Sequence, residues 1–259
     1  MNNVALITGA SSGIGLEFAR IHAAKGGDLV LTARRQSRLE ELEAELEQQH
    51  GITVIIITKD LSLPGAAEEL YLELRDKNIK VDYLINNAGF GGHGFFHERD
   101  WEKDKAMINL NIMALTALTR LILPDMILRN SGRILNVASG AGFLPGPLQA
   151  VYYATKAFVV SFSEAIASEL SDTDITVTAL CPGATATEFA QGADLEDSRY
   201  FKSRAASAKD VATYGYNAML RGKVIAVPGV KLKFLMNVVL RILPRRLVTK
   251  ISRAAMEKA

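Results

Sequence analysis

One stretch constrains the chain more than any other: Thr8-Gly9-Ala10-Ser11-Ser12-Gly13-Ile14-Gly15. It follows a short apolar run at 4–7 and precedes a helical pattern at 16–21. A strand, a glycine turn and a helix start therefore meet here. Glycine lets the backbone turn tightly and lets a ligand approach the main chain closely. The free N–H groups and positive dipole end of the helix then favour an anion such as a phosphate. The spacing is Gly-x-x-x-Gly-x-Gly, not the commoner Gly-x-Gly-x-x-Gly. On this stretch alone, a turn that binds nothing stays open beside the phosphate reading.

Strand-like and helical runs alternate along the rest of the chain. Strands are expected over 28–33, 52–58, 81–86, 132–139, 175–180 and 224–227. The run 52–58 lacks alternation, which predicts burial on both faces. Helices are expected over about 37–50, from Pro64 to about Lys77, as one long stretch over 101–129, and over 151–170 and 209–221. Ser37 with Glu40 forms a capping-box pattern for the first of these. The segment 184–207 lacks clean periodicity and reads as a loop with short helices. Such alternation implies parallel βαβ units with right-handed crossovers, hence an α/β doubly wound sheet. Ligands in such sheets sit at the carboxyl ends of the strands.

The 259 residues suit a single α/β domain. A net charge of +2 argues against general nucleic-acid binding, which needs a concentrated basic surface. The single cysteine, Cys181, allows no internal disulfide and fits a reducing cytoplasm. No secretory signal and no bilayer-length apolar run is expected. The four histidines and one cysteine show no metal-ligand spacing, so no metal is expected.

Seven pieces follow one another along the chain: Thr8-Gly9-x-x-x-Gly13-x-Gly15, Asp60-Leu61, Asn86-Asn87-Ala88-Gly89, Asn111, Ser139, Tyr152-x-x-x-Lys156 and Pro182-Gly183-x-x-x-Thr187. With these the chain resembles the short-chain dehydrogenase/reductase family over 4 to about 229, and looks closest to bacterial members of uncertain substrate. The resemblance implies a Rossmann-like fold with a seven-stranded parallel sheet flanked by helices. It also implies a nicotinamide cofactor and hydride transfer to or from a carbonyl carbon. Implied catalytic residues are Asn111, Ser139, Tyr152 and Lys156. Implied cofactor-binding residues are Gly9, Ser11, Ser12, Gly13, Ile14, Gly15, Arg34, Arg35, Asp60, Leu61, Asn87, Ala88, Gly89, Tyr152, Lys156, Pro182, Gly183, Thr185 and Thr187. A homodimer or homotetramer acting on a small carbonyl or alcohol compound is expected.

Tyr152 and Lys156 are four apart on a helix and share a face. A phenol titrates near 10, and a neighbouring ammonium lowers that value. A shift of roughly three units needs about 4 kcal/mol of differential stabilisation. Tyr152 would then give a proton in reduction or take one in oxidation. Taken singly, the pair reads more plainly as a packing tyrosine and a solvated lysine. Ser139 can donate to a carbonyl oxygen as charge builds there. No Gly-x-Ser-x-Gly elbow surrounds it, which excludes a serine-hydrolase reading. The resemblance gives Asn111 a water-mediated relay toward the lysine.

NAD binders place an acidic side chain after the second strand, and it repels a 2′-phosphate. Arg34 and Arg35 stand there instead, and guanidinium matches phosphate geometry. NADP(H) is therefore expected over NAD(H), although Ser12 occupies the family's other basic position. A NAD-dependent alcohol dehydrogenase and a cofactor-binding sensor without chemistry are the alternatives.

Phe90, Phe95, Phe96, Phe143, Leu144, Leu148, Tyr153, Phe189, Tyr200 and Phe201 are candidates for an apolar pocket. The extension 230–259 carries Leu232, Leu235, Met236, Val239, Leu240 and Leu243 at helical spacing. Arg245, Arg246, Lys250 and Arg253 then interleave with Leu247, Val248 and Ile251. This segment is expected to pack beside the loop 184–207, with a subunit interface as a further role. A peripheral membrane reductase of lipid-like ketones is the less favoured alternative.

Overall fold

The computed structural model describes residues 1–196, 205–236 and 240–257. Seven parallel strands form one sheet in the order β3-β2-β1-β4-β5-β6-β9. These are β1 (Ala5–Thr8), β2 (Leu29–Ala33), β3 (Val54–Thr58), β4 (Tyr83–Asn86), β5 (Gly132–Val137), β6 (Ile175–Leu180) and β9 (Ile225–Ala226). Two short strands, β7 (Thr185–Ala186) and β8 (Ala206–Ser207), pair separately as a parallel ribbon. The strand order reverses between β1 and β4, and a crevice for ligands opens at that switch point.

Every residue of β1 and β2 is buried, because helices cover both faces of the sheet. Ile7, Leu29 and Leu31 pack with Phe18 of α1 (Gly13–Ala23), with Leu39, Leu42 and Leu46 of α2 (Gln36–His50), and with Tyr216 of α8 (Ala208–Leu220). On the opposite face, Leu6, Val30 and Leu84 pack with Leu70 and Leu74 of α3 (Ala66–Asp76) and with Leu118, Ile122 and Met126 of α5 (Leu115–Arg129). Each such buried side chain contributes about 1.5–3 kcal/mol relative to exposure.

Several local expectations are corrected. Strand β3 lies at the sheet edge, so Ile55 and Ile56 are only half-buried and Thr58 is exposed. The pattern Ser37/Glu40 makes no capping box. Helix α2 begins one residue earlier, after Arg35, and Gln36 donates to Glu40 instead. Helix α3 starts at Ala66, because Gly65 takes a left-handed conformation that ends the turn begun at Pro64. The seventh strand pairs over only two residues. Ser139 lies beyond the end of β5 and precedes a 3-10 turn, Gly140–Phe143.

The helical stretch Trp101–Arg129 is interrupted. α4 (Trp101–Ile108) passes through a π-turn, Asn109–Ala114, into α5. A π-turn adds one residue, a feature common at functional sites. Met107 is buried before the π-turn, Asn111 within it, and Leu115, Leu118 and Ile122 after it. This stretch is 29 residues with mean hydropathy 1.6 in its most apolar window, so by length and composition it can cross a bilayer. That corrects the expectation that no such run exists; here the α5 part packs against the sheet.

Three further helices follow among the described residues: α9 (Val230–Phe234), α10 (Leu240–Ile242) and α11 (Arg245–Met256). Between the ribbon strands lies a four-residue helix, α7 (Phe189–Gly192), and before β6 lies α6 (Ala150–Glu169).

Candidate active site

The switch point is stitched by two side chains. Thr8 Oγ1 accepts from the Asn87 and Ala88 N–H groups at 3.0 and 2.9 Å. Asn87 Nδ2 donates to the Thr8 carbonyl at 2.9 Å. Gly9 adopts φ +68°, and a Cβ there would lie 2.9 Å from Ala88 Cα. A Cβ on Gly13, at φ +56°, would lie 2.9 Å from Thr187 Cγ2. Ser12 precedes α1 without capping it through its side chain. The first-turn N–H groups of α1 are thus turned toward a cradle with no room for side chains. That is the arrangement a diphosphate needs.

Tyr152 and Lys156 occupy adjacent turns of α6, and both are buried. Lys156 Nζ donates to the Val137 carbonyl at 2.7 Å and lies 5.9 Å from the centre of the Tyr152 ring. Ser139 Oγ accepts from the Ala141 N–H at 3.1 Å, which leaves its own proton to donate elsewhere. Asn111 Oδ1 accepts from the Phe90 N–H at 3.2 Å. Its Nδ2 donates to the Phe90 carbonyl at 3.0 Å and to Thr155 Oγ1 at 3.1 Å. Asn111 thereby fixes the backbone that follows Gly89, beside the lysine. Asn109, its neighbour in the motif, instead reaches the Ser62 carbonyl.

One cavity of about 880 Å³ joins these groups. Its end at the glycine turn is lined by Gly9, Ser11, Ser12, Gly13, Ile14, Arg34, Arg35, Asp60, Leu61, Asn87, Ala88, Gly89, Pro182, Gly183, Thr185 and Thr187, and its centre by Ser139, Tyr152 and Lys156. Two expected residues do not line it. Gly15 lies behind the turn, where a Cβ would strike Asn87 and the Gly9 carbonyl. Asn111 acts from beneath, through Phe90. Asp60 holds the turn after β3 by accepting from the Ser62 N–H and hydroxyl. Arg34 lines the cavity mouth and is exposed.

The opposite end is walled differently from the expectation. Phe90, Leu144, Tyr153 and Phe189 line it, but Phe95 and Phe96 are exposed and Phe143 packs under the sheet beside Val159 and Val160. Leu148 packs with Leu195 and Met256 outside the lining. Tyr200, Phe201 and Val239 lie outside the described residues. Phe189 stands against Tyr152 at 5.3 Å between ring centres. Leu232, Leu235, Met236, Leu240 and Leu243 complete the wall with Val248, Ile251 and Met256 of α11. Met256 packs on Ala193 and Leu195 of the loop 184–207, and its carbonyl lies 2.8 Å from His93 Nε2.

Two partners were invisible to sequence reasoning. Glu188 pairs with Arg35, and Gln149 Nε2 contacts Met256 Sδ at 2.7 Å. Neither falls in a periodic pattern, and both pairings span more than a hundred residues.

The sequence profile of the family described as short chain dehydrogenase matches residues 3–197. The chain belongs to the short-chain dehydrogenases. A very-long-chain 3-oxoacyl-CoA reductase of Anas platyrhynchos is 35% identical over 194 residues, covering 72% of this chain and 61% of that protein. One from Pyrenophora tritici-repentis is 40% identical over 171 residues, covering 64% of this chain and 50% of that protein. The chain thus spans about half to three fifths of these relatives. Among solved structures, a short-chain dehydrogenase from Sphingobium yanoikuyae in complex with NADPH superposes with TM-score 0.84 at 32% identity, over 91% of each chain. One from Burkholderia phymatum in complex with NAD superposes with TM-score 0.82 at 26% identity, over 100% of this chain and 98% of that one.

Electrostatics in this short-chain dehydrogenase distinguish the lysine from the thiol next to it. Burial lowers the Lys156 ammonium to about 8, opposed by the nearby Cys181. Burial pushes the Cys181 thiol up to about 12 despite the lysine, which leaves it an inert packing group.

Proposed function

We propose that this short-chain dehydrogenase is an NADP(H)-dependent reductase of carbonyl compounds with a long or bulky apolar body. The observation that carries the reading is the buried Lys156 beside Tyr152, in the middle of a cavity with a phosphate cradle at one end and an apolar wall at the other. The residues present fit a nicotinamide dinucleotide: Gly9 and Gly13 leave room at the uncapped end of α1, and Arg34 stands where an acid would repel a 2′-phosphate. When bound, that cofactor supplies hydride to the carbonyl carbon.

The chain's own groups then act on the oxygen. Ser139, with its oxygen already accepting from the Ala141 N–H, donates its proton toward the carbonyl oxygen. Tyr152 transfers a proton to the same oxygen as negative charge develops there. The Lys156 ammonium stabilises the phenolate left behind. Phe189 and the C-terminal wall exclude water from this step.

The acyl reductases among the relatives, and a bulky-bulky ketone specific alcohol dehydrogenase from Comamonas testosteroni (27% identical, TM-score 0.78, over 94% of this chain and 95% of that one), support a large apolar substrate. We favour 3-oxoacyl thioesters and long-chain ketones. An NAD-dependent alcohol dehydrogenase is the second reading, favoured by the ion pair that already occupies Arg35.

A homologous series of 2-ketones and 3-oxoacyl thioesters assayed with NADPH tests the proposal. Each methylene buried in the wall contributes about 0.8 kcal/mol, so kcat/KM should rise about four-fold per carbon until the cavity is full. A profile that is flat or falls with chain length contradicts the apolar-substrate reading.

A further inference from the structure

The segment 230–259 holds eight Lys or Arg and one acid, Glu257. Its net charge is therefore +7 in a chain whose total is +2, which leaves the preceding 229 residues at −5. This cationic segment also forms the apolar end of the cavity. Helix α11 has three distinct faces. Val248, Ser252 and Met256 turn inward and are buried. Arg246, Lys250 and Arg253 form an exposed basic face. Between them, Leu247 and Ile251 are apolar and exposed, although Ile251 also lines the cavity.

Leu235, which also lines the cavity, is 39% exposed, and Phe234 and Ile242 of the same segment are 59% and 77% exposed. Exposed Phe95 joins this rim, with the Arg253 guanidinium 5.8 Å from its ring centre.

We propose that this rim docks on an anionic membrane surface, so that a lipid-borne substrate enters the cavity directly from the bilayer. Charge complementarity selects the occupant. Exposed cations interleaved with apolar residues suit an interface where the guanidinium and ammonium groups stay hydrated among headgroups. A second protein surface would have to desolvate the Lys250 ammonium, and protein interfaces are depleted in lysine. Apolar insertion and headgroup attraction add, each basic residue near an anionic surface giving roughly five-fold in partition. The docking stands without the hydride-transfer reading, because binding is measured separately from turnover.

The test is flotation of the full chain with vesicles of phosphatidylcholine alone or with one third phosphatidylglycerol. The protein should float only with the anionic vesicles and be released by high salt. The pair Arg246→Gln with Lys250→Gln should weaken partition about thirty-fold. Neither side chain lines the cavity, so turnover of a short, soluble ketone should not change, and Leu247→Gln should weaken partition with turnover equally intact. Equal flotation with neutral vesicles, or none with either, overturns the proposal. So does an altered oligomeric state of the double variant by sedimentation velocity, which would assign the face to a second copy. A raised KM for coenzyme A thioesters with unchanged flotation would assign the cations to a substrate headgroup and also overturn it.

Discussion

Arg35 reaches across the glycine-turn end of the cavity to Glu188, with Nη1 2.8 Å from Oε2. The same guanidinium contacts Ser11 Oγ at 3.2 Å through Nη2. One side chain thus ties the end of β2 to the glycine turn and to the start of α7. A 2′-phosphate arriving here must share Arg35 with Glu188, whereas Arg34 is exposed at the same mouth. Exposed ion pairs are worth about 0.2–1 kcal/mol. Glu188→Gln should therefore tighten NADPH binding by up to about five-fold and change NADH binding less. Arg34→Ala should narrow the preference for NADPH, by roughly ten-fold or more if its contact is charge-assisted. Calorimetric titration of both cofactors measures these differences, and equal dissociation constants in the unmodified protein would contradict the assignment.

The lowered Lys156 value fixes a pH window. Its folded value of about 8 lies below the ordinary lysine value of 10.5. The unfolded chain therefore holds more protons between those values, and stability rises with pH across that window. The burial cost is fully present below about pH 8 and is relieved as the lysine loses its proton. Compared with Lys156→Met, the cofactor-free protein should gain up to about 3 kcal/mol between pH 8 and 10.5. Chemical denaturation of both proteins at several pH values measures the difference. A constant gap between them would show that Lys156 is not desolvated.

Asn111 should behave as a positioning residue. Its amide satisfies both the N–H and the carbonyl of Phe90. Asn111→Ala leaves these groups unpaired, at about 1–3 kcal/mol each. The melting temperature should fall by at least about 4 °C, at roughly 2 °C or more per kcal/mol in a chain of this length, and turnover should fall with it as the loop beside Lys156 loosens. Asn111→Asp keeps the acceptor but turns a buried carboxylate oxygen toward the Phe90 carbonyl, so it should not restore the lost stability. An Ala variant as stable as the parent would remove the structural role.

The parts legible in the sequence are those built from local chemistry. Gly9 and Gly13 announce a turn whatever follows, and an interval of four places Tyr152 and Lys156 on one helical face. Position in the sheet is not local: the apolar run of β3 resembles a central strand, but the crossovers place it at the edge. The π-turn was hidden because Asn111 reads as a poor helix residue until its partner, Phe90, is known. The pocket aromatics were only partly legible. Exposure depends on neighbours, so Phe90 and Phe189 face the cavity while Phe95 and Phe96 face outward. The amphipathic period in 230–259 was visible, but not that it walls the same cavity as Tyr152. The pairing of Arg35 with Glu188 has no sequence signature at all.

Tyr152→Phe isolates the proton that Tyr152 is proposed to supply in carbonyl reduction. The substitution keeps the ring packed against Phe189 and beside Lys156 and removes only the hydroxyl. General acid catalysis contributes about 10²–10⁴-fold. NADPH-dependent turnover of a long-chain ketone should fall by at least a hundred-fold, while the dissociation constant for NADPH stays within a few-fold. A variant that binds NADPH normally and keeps most of its turnover would contradict the account.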